Sequence, residues 1–101
     1  MRVETYNQII GAMTFYSAPD IEPQLRQIRT LTEGLRVATN GETASSAVCD
    51  KYFEEVMRIY NSRYVDASGW NLMTIVNMIS EALEKEKACF KNEYGIRTKL
   101  I

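Results

Sequence analysis

The chain has 101 residues, enough for one domain, and its 46% hydrophobic and 25% charged residues match ordinary folded soluble domains. Lys+Arg 12 against Asp+Glu 13 gives a formal charge of -1, which excludes charge-driven disorder and removes the simplest argument for nucleic-acid or anionic-membrane binding. There is no His, so His-based triads, HExxH zinc sites, Glu-x-x-His di-iron motifs and imidazole pH switches are excluded.

Taken in chain order, Met1-Arg2-Val3-Glu4-Thr5-Tyr6-Asn7 carries an acid and polar groups where a secretion signal needs an apolar run. The first helix is expected over about residues 3–17, with Val3, Tyr6, Ile10 and Met13 on one face. Ser17-Ala18-Pro19-Asp20 breaks it, because Pro19 disfavours helix at Ala18 and Asp20 can cap the next helix. The second helix is expected over about 21–39, where Ile21, Leu25, Ile28, Leu35 and Ala38 align, with Leu31 beside them. Pro23 falls in its first turn, where the backbone N–H has no partner to lose.

Thr39-Asn40-Gly41-Glu42-Thr43 forms the next break, with Gly41 suited to a left-handed position after the helix and Thr43 to a new N-cap. The third helix, about 44–63, aligns Val48, Tyr52, Val56, Ile59 and Tyr60. After Val65-Asp66-Ala67-Ser68-Gly69, the fourth, about 70–93, aligns Leu72, Val76, Ile79, Leu83 and Phe90. Gly95 is expected to close it, leaving a tail over 96–101. Alternation of the strand kind never lasts five residues, and all connections are short. The expected fold is therefore all-α, a single-domain antiparallel four-helix bundle. Homodimerisation through the third and fourth helices is the open alternative.

Two faces are wider than a core stripe requires. On the third helix Tyr52, Phe53, Met57, Tyr60 and Tyr64, with Arg63 inside the arc, extend the apolar face. On the fourth, Ile75, Met78, Ala82 and Cys89 form a second row beside the first, spaced by three, four and seven. These ten residues are the candidate interaction surface, since Tyr and Arg combine large contact area with polar reach. Packing inside the chain's own bundle accounts for the same pattern.

Catalytic chemistry is hard to assemble. No GxGxxG, GxxxxGK[ST] or GxSxG occurs, and Cys49 would lack a His partner. Cys49 and Cys89 stand forty positions apart with no CxxC pairing, so neither zinc nor a disulfide scaffold is expected. All-α nucleotide pyrophosphatases of the MazG kind face an ExxE pair with an ExxD pair on the next helix. This sequence resembles them only in supplying two acidic helices: Glu81/Glu84 is its sole ExxE, beside Asp50, Glu54 and Glu55, and ExxD is missing. Arg26, Arg29 and Arg36 share one side of the second helix and could meet nucleic acid or an acidic partner, although Glu22 and Glu33 lie in the same stripe.

The expected function is thus a non-enzymatic, cytoplasmic protein-interaction module: an adaptor, inhibitor or regulator that binds another protein or itself, with no cofactor, metal or membrane. Bacteriocin immunity proteins and phage anti-CRISPR proteins are similar in size and architecture. The alternatives are a carboxylate/Mg-dependent nucleotide hydrolase and a DNA-associated regulator working through the arginine face.

Overall fold

The computed structural model describes residues 1–62 and 69–99, with side chains as far as Tyr94. Four helices carry them, α1 (Val3–Phe15), α2 (Glu22–Thr39), α3 (Ser46–Asn61) and α4 (Gly69–Lys99), with a 3-10 turn, Pro19–Ile21, between the first two. Each helix packs on two others: α1 on α4 and α2, and α3 on α2 and α4. Polar contacts fix the directions. Arg2 meets Glu86 while Asn71 meets Tyr16, so α1 and α4 run antiparallel. Tyr6 meets Glu33 and Met1 meets Thr39, which sets α2 antiparallel to α1. The fold is an all-α four-helix bundle.

Most boundaries obey the turn chemistry of the sequence. Asn40 and Gly41 take positive φ, 51° and 78°, and end α2 as the Asn-Gly pair predicts. Pro23 lies in the first turn of α2, although Asp20 provides no side-chain cap there. Two boundaries differ from expectation. The N-cap of α3 is Ser45, whose Oγ accepts from the Val48 N–H, and not Thr43. Thr43 instead donates to Glu93 and the Ala44 N–H donates to Glu86, so α4 holds this segment outside the helix. The second difference is Gly95, which does not stop α4; the helix continues to Lys99. One glycine costs a helix only about 1 kcal/mol, and Phe90 and Tyr94, one turn apart with ring centroids 4.5 Å from each other, support the approach to it.

The core is built from Ile9 and Met13 of α1, Leu25 and Ile28 of α2, Val56 and Ile59 of α3, and Leu72, Ile75, Ile79 and Leu83 of α4, with Met1 and Ile21 closing it. The face of α1 is rotated from the expected one: Thr5, Ile9, Ala12 and Met13 are buried, whereas Val3 is 63% exposed. A polar requirement accounts for that rotation. Thr5 turns inward to donate its hydroxyl to Glu86, at 2.6 Å.

Glu86 is fully buried, although its charge suggests a solvated face. Its Oε1 accepts from Arg2 Nε (2.9 Å) and the Thr5 hydroxyl; its Oε2 accepts from the backbone N–H groups of Arg2 (3.1 Å) and Ala44 (2.8 Å). Burial by itself raises a carboxyl pKa. Here the donors, Thr5 and the Ala44 N–H foremost, outweigh burial and hold Glu86 below the ordinary carboxylate range. One carboxylate therefore ties the start of α1 and the entry to α3 onto α4. A second buried polar contact joins α2 to α3. Thr32 donates to the Ile28 carbonyl, so in its 2.6 Å contact with Tyr52 the phenol is the donor.

Candidate interaction surfaces

The four-helix arrangement brings the end of α1 and the start of α4 to the same end of the bundle. Met13 is the last core residue of α1, and the chain then turns before Pro19, leaving Phe15 and Tyr16 at the rim. Phe15 is 79% exposed, and Trp70, in the first turn of α4, is 63% exposed; Met73, one turn on, is 43% exposed. Tyr16 is half-buried between the two large rings. Phe15 and Tyr16 meet edge-to-face at 4.9 Å between centroids, and Tyr16 and Trp70 at 6.1 Å. The Asn71 amide donates to the Tyr16 carbonyl at 3.1 Å and pins the turn to α4. Such aromatic pairs contribute about 0.5–1.5 kcal/mol beyond their area, so the rings support one another while two of them face solvent.

A second apolar surface lies between α2 and α3. Leu31, Leu35 and Tyr52 floor a groove of about 380 Å³, with Gly34, Ala38 and Val48 along its sides and Thr30, Lys51 and Glu55 at its rim. A Cβ built on Gly34 would meet nothing within 4 Å, so the groove is open there.

The residues singled out from the sequence divide into three groups. Ile75 and Ala82 are fully buried and Tyr52 nearly so; they belong to the chain's own core and leave the candidate surface. Half of the second row of α4 thus packs inward, at Ile75 and Ala82, because α4 is flanked by both α1 and α3. Phe53, Met57, Tyr60, Met78 and Cys89 are half-buried at the edge of the bundle. Arg63 and Tyr64 lie outside the described residues.

The arginine face is largely neutralised from within. Arg29 pairs with Glu22 and Arg36 with Glu33, each at 3.1 Å, and Arg36 also lies over the Tyr6 ring. Arg26 is exposed. Glu54, Glu81 and Glu84 are exposed, and among the described residues no three acidic or Cys side chains gather as a metal-binding group. Cys49 is buried, and burial first, then the nearby Glu86 charge, pushes its thiol up to about 11. Among the described residues no helix is long and apolar enough to cross a membrane.

Phe15 and Trp70 are absent from the surface expected from sequence, yet a signal existed. Phe15 stands about 200° round the helix from Met13, off the apolar face of α1, and Trp70 stands off the Leu72/Val76/Ile79 row. A large aromatic away from its helix's core row is a side chain with no internal use. Comparison with protein-family models, with curated proteins and with solved structures gives no match.

Proposed function

We propose that this protein is a non-enzymatic binding module that engages another protein through the Phe15/Tyr16/Trp70 end of the bundle. The observation that carries this reading is the pairing of heavy exposure with ordered geometry: two large aromatic side chains face solvent while locked edge-to-face through a third. Exposed aromatic clusters of this kind are the usual anchors of protein interfaces, with Trp and Tyr the residues that most often dominate binding energy. Covering both rings removes on the order of 250 Å² of apolar surface, a gross gain of about 6 kcal/mol. Met73 beside them adds an adaptable contact. The half-buried edge formed by Phe53, Met57 and Tyr60 extends the apolar surface of α3, so the interaction reading also retains part of the surface expected from sequence.

Trp70 is the sole tryptophan of the chain, which makes the test direct. Proteins captured from a cell extract are purified and titrated against the wild-type chain while Trp70 emission is monitored. The expected result is a blue shift and loss of acrylamide quenching at saturation. Phe15→Ala and Trp70→Ala, compared with wild type by isothermal titration calorimetry because the second variant has no tryptophan, should each weaken binding at least tenfold, with the helical circular dichroism unchanged. A partner that binds both variants as tightly as the wild type refutes the assignment.

A further inference from the structure

We propose that the α2/α3 groove is a self-association face that seats a second copy of this chain across a two-fold axis. The groove is distinct from the aromatic end and stands on different observations. Its floor and sides are apolar, and it stays open at Gly34, where no side chain among the described residues fills it. Ala38 and Val48 along it are exposed.

The charge pattern selects the occupant. Among the described residues, two charged side chains line the groove, Lys51 and Glu55, of opposite sign and one turn apart on α3. Lys51 makes no ion pair among the described residues, and Glu55 is held at the rim by Arg58. A two-fold axis passing between these positions sets α3 antiparallel to its copy. Lys51 of each chain then faces Glu55 of the other, and the exposed apolar sides at Ala38 and Val48 meet the partner. A foreign partner would have to supply an acid and a base in the matching order, whereas a second copy supplies both by symmetry.

The size of the face sets the strength. Helices of 18 and 16 residues are about 24–27 Å long, and two of them side by side present on the order of 500 Å² per copy. The total, roughly 1,000 Å², is at the lower limit for a specific interface, so the dimer is expected to be weak, and a Kd of micromolar order sets the concentrations of the test.

Sedimentation velocity from about 1 to 500 µM tests this, that range bracketing a micromolar Kd. The wild type should pass from monomer to dimer. Ala38→Glu, on the exposed side of the groove, should raise Kd at least tenfold, as should Lys51→Glu and Glu55→Lys singly. The double swap Lys51→Glu/Glu55→Lys should return Kd to within about threefold of wild type, because the symmetric pairs re-form with reversed sense. Circular dichroism must show the same helicity in all five proteins. Trp70 emission should stay constant over the dilution. A wild type that remains monomeric overturns the proposal. So does a dimer indifferent to these variants, a double swap that fails to restore association, or a Trp70 blue shift that tracks dimer formation.

Discussion

Replacing Glu86 by Gln keeps the shape of the side chain and removes its charge, so it isolates what the buried carboxylate contributes. All four donors around it point at carboxylate oxygens, two at each. Turned toward the Oε2 position, the Gln NH₂ faces two backbone N–H donors; turned toward Oε1, it faces Arg2 Nε even if the Thr5 hydroxyl rotates to accept, and either way Arg2 loses its counter-charge. Breaking one side of a buried ion pair costs about 3–5 kcal/mol, and a domain of this size has only about 5–15 kcal/mol to lose. The melting temperature should therefore fall by about 12–40 °C, at roughly 4–8 °C per kcal/mol. Urea unfolding monitored by circular dichroism measures the same loss at neutral pH. The pH dependence gives a second check. The folded-state pKa of Glu86 lies below its ordinary value of 4.5, so the native state prefers the ionised form. Its stabilisation is fully present above that value and is lost as pH falls through the depressed folded pKa. The gap between wild type and variant should accordingly narrow as pH falls below 4.5. A variant within about 1 kcal/mol of wild type at neutral pH refutes the argument, and so does a gap that does not change in acid.

Buried groups elsewhere give two more expected outcomes. Cys49 is buried with its thiol raised to about 11, so a thiol reagent at neutral pH should leave it unmodified in the native state and label it only on unfolding, while half-buried Cys89 reacts first; peptide mapping of the labelled protein decides this. Among the described residues the Oε1 atom of Gln24 is buried with no hydrogen-bond donor, which costs about 1–3 kcal/mol. Gln24→Met, similar in volume, should stabilise the protein by about 1 kcal/mol in urea titrations, and destabilisation would show that the amide has a role in packing.

Helix count, the all-α class and most of the breaks were legible in the order of residues alone. These are local properties: apolar residues three and four apart, Pro19 after α1, and Asn40-Gly41 after α2 each act over one or two turns. Part of the core was legible for the same reason, since Leu25, Ile28, Val56 and Ile79 are centred on strongly periodic stripes. Glu86 lies seven residues beyond Ile79 on the same row, but a charge at such a position conflicts with burial. The assembled bundle settled that conflict, because the donors that make burial tolerable come from residues 42 to 84 positions away. That single contact turned α1 so that Thr5 faced inward and Val3 outward. The two rows of α4 likewise could not be told apart until α1 and α3 lay against both. Exposure at Phe15 and Trp70 is tertiary as well: a helix's own pattern fixes which residues share a face, and only its neighbours decide which of those faces water meets.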